Sequence, residues 1–391
     1  MAVKVIYAKR ILTPHEELGE RVILVEEGII SAIGHRDEIV VPANAHDVVA
    51  RDMIVAPGFV DIHIHGAGGH DVMEATPEAM HAVTSRVARR GTTSIVATTV
   101  SAPTDETCRS LEGLAAYIAS PKNQSPPRSE AAEVLGIHLE GPFLSHARRG
   151  VHPESSLAQP SVQLLEQFLA AAGGYARMLT VAPELPGALD LVDRARRDGI
   201  VIGLGHTDAT YAEAEAAIAH GARHAVHVFN AMRPFSHRET GVLGAVLTDP
   251  EVTTELIADG IHVDPPAIEI LLASKGTERV LLISDGIAAT GMPDGNYRLG
   301  MFDVTVNKGV ARNAEGRLAG STLTLDRAVK QMVALGVPLH EAVKMATLGP
   351  ARRLGLGGKK GVIAPGADAD FVFLNEDLSV AGVMTRGVGP D

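Results

Sequence analysis

From residue 56 onward, short apolar runs alternate with alanine-rich stretches, and this alternation constrains the fold more than any other feature. Eight runs carry it: GFVDIHIH (58–65), TSIVATTV (93–100), EVLGIHLE (133–140), RMLTVAPE (177–184), IVIGLGHT (200–207), HAVHVFN (224–230), TTELIADG (253–260) and RVLLISDG (279–286). The stretches between them, such as TPEAMHAVTSRVARR and DATYAEAEAAIAH, have helical character, and their leading Thr or Asp suits an N-cap. Apolar strands joined by helical crossovers make a parallel sheet covered on both faces. Eight such units predict an α/β fold, a (β/α)8 TIM-type barrel with its chemistry at the C-terminal strand ends.

Both ends of the chain read differently. Residues 3–55 hold the β segments KVIYAKRIL, RVILVEEG and IISAIG, and the tail KGVIAPGADADFVFLNEDLSVAGVMTRG returns to short strands. The simplest joining is a small β-sandwich domain formed from both termini, with residues 1–55 and 357–391 flanking a barrel over 56–356. A β-hairpin is expected near 297–319, followed by helices near 323–335 and 338–348. SPKNQSPPRSE (120–130) reads as a polar surface loop.

Charge and cysteine usage narrow the partners. Lysine and arginine total 35 against 47 acidic residues, a net charge of −12. That argues against a nucleic-acid or anionic membrane surface, though not against a small anion met by local cations. One cysteine forms neither an intrachain disulfide nor a Cys-rich metal site. With no signal-like or membrane-spanning run, the expected location is the cytoplasm.

The unusual number is histidine, at 17. Several of these stand where the barrel reading puts chemistry. In a strand, positions i and i+2 share a face, so His63 and His65 point together into the barrel mouth. The third strand ends at Glu140, the fifth at His206, the sixth presents His227 and the eighth ends at Asp285. Imidazoles and carboxylates without thiolates suit a divalent ion such as Zn or Fe at a catalytic site with open positions. His138 shares the Glu140 face and reads as a supporting or core residue. Asp61 shares the face of His63 and is placed to orient a histidine.

The segments PGFVDIHIHG, HLEGPF (138–143), GHTDA (205–209), HVFNAM (227–232), ADGIH (258–262), ISDGIAATGMPDG (283–295) and LAGS (318–321) together resemble the N-acetylglucosamine-6-phosphate deacetylases of the amidohydrolase superfamily. His-x-His alone indicates only the superfamily; HLEGPF with HVFNAM and DGIH is far more specific. The resemblance implies a primary metal held by Glu140, His206 and His227, and a second site formed by His63 and His65 with Glu140 shared. One or two divalent ions are therefore expected. It implies hydrolysis of N-acetyl-D-glucosamine 6-phosphate to glucosamine 6-phosphate and acetate in amino-sugar catabolism, with Asp285 as general base and then acid. His152 would polarise the acetyl oxygen.

Further contacts follow from the same match. Asn230 and Ala231 would lie above the metal, and Arg238 would bind the phosphate. Gly260, Ile261 and His262 would meet sugar hydroxyls, and Val151, Leu318, Ala319 and Gly320 would line the pocket. The resemblance also favours a homodimer, with a neighbouring chain completing the phosphate site. Gly66–Gly69, Cys108, Arg89–Arg90, Arg233, His237 and Arg352–Arg353 read as loop, packing or solvated positions. Two other functions stay open. One is an amidohydrolase acting on an N-acyl amino acid or cyclic amide, which needs neither Arg238 nor HLEGPF. The other is a non-catalytic barrel that binds a sugar phosphate, against which the intact Asp285 speaks.

Overall fold

The structure, a computed structural model, describes residues 3–14, 16–124 and 131–389. Eight parallel strands form one sheet in chain order: Phe59–Ile64, Thr92–Thr99, Glu133–Glu140, Ala176–Val181, Val201–Leu204, His224–Ala225, Thr253–Leu256 and Val280–Leu282. The first two are buried along their whole length, as apolar strands packed on both faces must be. The barrel closes at its rim. Ile64 bridges Gly286, and the Gly286 carbonyl accepts from the His65 and Gly66 amides at 2.8 and 2.9 Å. On the same seam the Asp285 amide donates to the His63 carbonyl at 2.9 Å. Closure therefore delivers a histidine and an aspartate side by side.

Five strands end three or more residues before their apolar runs do, three of them ahead of a functional side chain. The fifth, sixth and eighth stop at Leu204, Ala225 and Leu282, before the functional side chains arrive. His206, His227 and Asp285 instead take left-handed backbone, with φ of 47°, 27° and 48°. Non-glycine residues seldom adopt it, and no strand continues through it. The expectation that His206, His227 and Asp285 sit on strands is corrected: they sit on turns just beyond them.

Local sequence explains where some of the helices begin. Thr76 caps Pro77–Ala88 by accepting from the Ala79 amide at 3.2 Å. Before Tyr211–His220 the cap is Thr210, in a reciprocal capping box with Glu213, rather than Asp208. Arg148 and Arg233 bind Asp208 at 2.8 and 3.1 Å. Helix Thr104–Ala119 buries Leu111 and Leu114 completely against the barrel; each such side chain contributes about 1.5–3 kcal/mol. After the eighth strand, Gly295–Leu299, Phe302–Asn307 and Val310–Asn313 form three antiparallel strands, one more than a simple hairpin. They roof the barrel mouth through Leu299 and Val304, which pack with Val100, Ile287 and the following Ala319.

The small β-sandwich domain draws on both termini. One sheet of seven strands runs from Val380–Met384 and Phe371–Leu374 to His46–Pro57, Lys4–Leu12, Arg21–Glu26 and Ile29–Gly34, with Glu17–Leu18 pairing onto Lys4–Leu12. Ile6, Ile23, Val48, Phe371 and Phe373 fill its core. In the expected loop at 120–130, Pro121–Gln124 forms a short helix, and residues 125–130 lie outside the described residues. Among the described residues, no helix is long and apolar enough to cross a membrane.

Candidate active site

The barrel mouth holds a cavity of about 190 Å³ with Glu140 at its base. Four imidazole Nε2 atoms surround the Glu140 carboxylate: His227 at 2.9 Å and His63, His65 and His206 each at 3.3 Å. His206 and His227 bring their Nε2 atoms within 3.1 Å of one another. Asp285 Oδ1 lies 3.3 Å from His65 Nε2 and 3.7 Å from His63 Nε2. All of these residues are buried.

The far side of each ring shows why they converge. His65 Nδ1 donates to the Thr98 carbonyl at 3.0 Å, and His206 Nδ1 to the Arg148 carbonyl at 3.0 Å. His63 Nδ1 donates to the Glu255 carboxylate at 2.8 Å. With Nδ1 carrying the proton, a neutral ring presents only a lone pair at Nε2. Three rings thus aim lone pairs at carboxylate oxygens, acceptor against acceptor, a contact relieved only by a proton or a cation. His63 Nε2 and His227 Nδ1 are moreover buried without a hydrogen bond among the described residues. Nitrogen and oxygen donors so arranged fit a divalent ion in two overlapping groups, His63, Glu140 and His227, and His63, His65 and Asp285. Glu140, His152 and His206 form a third overlapping group.

Ionisation follows the same geometry. Burial opposes charge on His65, yet hydrogen bonding to Asp285 and Glu140 raises its pKa to about 9. Burial lowers His206 to about 4 despite the charge of Glu140. Burial works against the charge of Glu140, but His63 and His206 hold it well below the usual carboxylate range. Asp285 is likewise lowered, against its burial, by His65 and His63. At neutral pH both carboxylates are ionised.

His152 is set differently. Its Nδ1 accepts from the Ser101 amide at 3.2 Å, so a neutral ring carries its proton on Nε2, which stands 3.4 Å from Glu140 Oε2 and faces the cavity. That makes it a donor toward anything bound there. Val151, Asn230, Ala231, His262, Leu318 and Gly320 also line the cavity, together with Val100, Gly150 and Leu299, which no motif flagged. His262 Nδ1 is fixed to Asp259 at 2.7 Å.

Four expected contacts are not brought to the cavity wall within one chain. Ala319 is buried in the roof, Gly260 is displaced from the lining, Ile261 is 45% exposed, and Arg238 sits on an exposed loop. Asp61 accepts from the His63 and Ser284 amides at 3.3 and 3.2 Å, tying the barrel seam beneath the cluster. His138 bonds Thr180 Oγ1 at 2.8 Å and packs edge-on against His63, with burial holding it neutral. Glu255 and His224 escaped the motifs. Their only signal is a charged or polar residue inside an otherwise apolar strand.

A barrel with this rim defines a class: residues 54–388 match the model of the Amidohydrolase family, and the chain belongs to that family. Its similarities then become specific. It is 38% identical to the N-acetylglucosamine-6-phosphate deacetylase of Vibrio furnissii, over 97% of this chain and 93% of the relative. It is 37% identical to the N-acetylgalactosamine-6-phosphate deacetylase of Escherichia coli O157:H7, over 98% of both chains. A solved Mycobacterium smegmatis N-acetyl-D-glucosamine-6-phosphate deacetylase, a mutant in complex with N-acetyl-D-glucosamine-6-phosphate, superposes with a TM-score of 0.90 at 37% identity, covering 100% of this chain and 99% of that one.

Proposed function

We propose that the chain is a metal-dependent hydrolase that removes the acetyl group from N-acetyl-D-glucosamine 6-phosphate. The observation that carries this reading is the ring of histidine lone pairs on Glu140, opening into a cavity that also presents Asp285 and the His152 Nε2 proton. Glu140, His206 and His227 would hold one ion, and His63 and His65, with Glu140, a second; Zn and Fe both suit these donors. When bound, such an ion lowers the pKa of water and polarises an amide carbonyl. Asp285, ionised and facing the cavity, accepts the proton of the attacking water and returns it to the leaving amine nitrogen. His152 donates toward the acetyl oxygen as negative charge develops there. Val100, Val151, Leu299 and Leu318 give the acetyl methyl an apolar surround.

We assign the sugar contacts to Asn230, Ala231, His262 and Gly320, which line the cavity. We assign the phosphate to Arg238; its exposed position fits a cytoplasmic homodimer in which a neighbouring chain completes the phosphate site. The 4-epimer, N-acetyl-D-galactosamine 6-phosphate, is a second candidate substrate because the Escherichia coli relative of that name matches along 98% of both chains. Acetate release from each phosphorylated sugar tests the reading. Asp285→Asn should lower kcat about 10²–10⁴-fold while keeping its metal; a variant with near-native turnover would exclude Asp285 as the base. Arg238→Glu should raise KM about tenfold or more for the phosphorylated sugar only. Equal loss on the unphosphorylated sugar would remove its phosphate role.

A further inference from the structure

Beneath the cluster lies a carboxylate that the proposed reaction does not touch. Glu255, on the seventh strand, is 0% exposed, and its oxygens are engaged on three sides. Oε2 accepts from His63 Nδ1 at 2.8 Å and from the His227 backbone amide at 3.1 Å. Oε1 accepts from His224 Nε2 at 2.9 Å, and His224 Nδ1 stands 2.8 Å from Thr253 Oγ1. The first bond commits the His63 proton to Nδ1 and leaves its buried Nε2 lone pair 3.3 Å from Glu140. The second holds His227 at a left-handed φ of 27°, the turn that carries its ring to Glu140.

We infer that Glu255 is a positioning residue that seats both metal sites at once, orienting His63 through its side chain and His227 through its backbone. The inference rests on reading His63 and His227 as ligands. Carboxylates that orient ligating histidines typically change metal affinity 10–100-fold when removed. A carboxylate that merely ties strands together would alter stability and leave the affinities of the folded protein unchanged. Glu255 differs from Asp61 in reaching residues of both proposed sites rather than the backbone of one strand and the seam.

The test uses the full chain, stripped with a chelator and titrated with Co²⁺, whose visible absorption reports coordination, and separately with Zn²⁺. Wild type should bind two equivalents and His63→Asn one. Glu255→Gln should bind both ions more weakly, the second about 10–100-fold, with an altered Co²⁺ spectrum and a loss in kcat that exceeds any rise in KM. Native affinity at either site in folded Glu255→Gln would overturn the inference. Two ions retained by His63→Asn, or one bound by wild type, would overturn the ligand reading and the inference with it. Should Glu255→Gln not fold, His224→Phe decides. It removes the outer contacts with Glu255 and Thr253, leaves those of Glu255 with His63 and His227, and should weaken the second ion several-fold, whereas unchanged affinity overturns the proposal.

Discussion

The third barrel strand, Glu133–Glu140, carries a carboxylate at each end, and the two ends are treated in opposite ways. Glu133 meets Lys360, which is 2% exposed and bonded also to Asp368 and Asp370; the three distances are 2.6, 2.7 and 2.8 Å. Burial opposes the charge of Lys360, but Asp370, Glu133 and Asp368 together raise its pKa. This cluster contains its own cation and knits the barrel to the tail of the small domain. Among the described residues, Glu140 has no ammonium beside it. Three of the imidazoles around it, His65, His206 and His63, have outer nitrogens committed to Thr98, Arg148 and Glu255, so in the neutral rings the inner ones face it as acceptors. A buried carboxylate supplied with a resident cation holds a structure together; one surrounded by oriented lone pairs is prepared to receive an ion.

The largest effect expected from this contrast is at Glu140. Glu140→Gln replaces the carboxylate shared by both proposed ion sites with a neutral amide. Turnover should fall at least as far as in Asp285→Asn, to below about one part in 10⁴. Its metal content by elemental analysis should fall with it, and a chelator should then shift the melting temperature of wild type but not of the variant. At the other end of the strand, Lys360→Met leaves the buried Asp368 and Asp370 and the half-buried Glu133 without that ammonium. Breaking such a cluster costs about 3–5 kcal/mol, read as a lower denaturant midpoint. The kcat of the folded protein should stay at the wild-type value. A Lys360→Met protein of native stability but impaired turnover would dissolve the distinction between the two ends.

How much of this was legible depends on distance along the chain. His63 and His65 follow from strand parity, because one short strand fixes both. The types at His206, His227 and Asp285 were visible, but their backbone was not. Their turns are set by pairings such as the Thr207 amide with the Ala231 carbonyl at 3.1 Å and the Asp285 amide with His63, which periodicity does not encode. Glu255 and His224 lay inside runs correctly read as strands, yet their roles depend on partners up to 192 residues away. Lys360 opens the tail KGVIAPGADADFVFL, where no motif singles it out. Only the packing of the tail against Glu133 reveals it as buried.

A second buried lysine sharpens the comparison with the smallest effect. Lys275, at the end of helix Pro265–Lys275, is 5% exposed, and its ammonium donates to the backbone carbonyls of Val246 and Asp249 rather than to carboxylates. Without a paired anion, burial prevails and lowers its pKa from 10.5 to about 8, opposite in direction to Lys360. The sign of the pH effect follows. Between pH 8 and 10.5 the unfolded chain holds a proton that the folded chain has released, so stability rises with pH across that window. One whole proton would give about 1.4 kcal/mol per pH unit, and solvent screening keeps Lys275 below that slope. The stability difference between wild type and Lys275→Met, followed by denaturant midpoint, should therefore grow in favour of wild type as pH rises from 8 to 10.5. A difference independent of pH would mean that carbonyls serve a buried ammonium as well as carboxylates do, and the contrast with Lys360 would lose its basis.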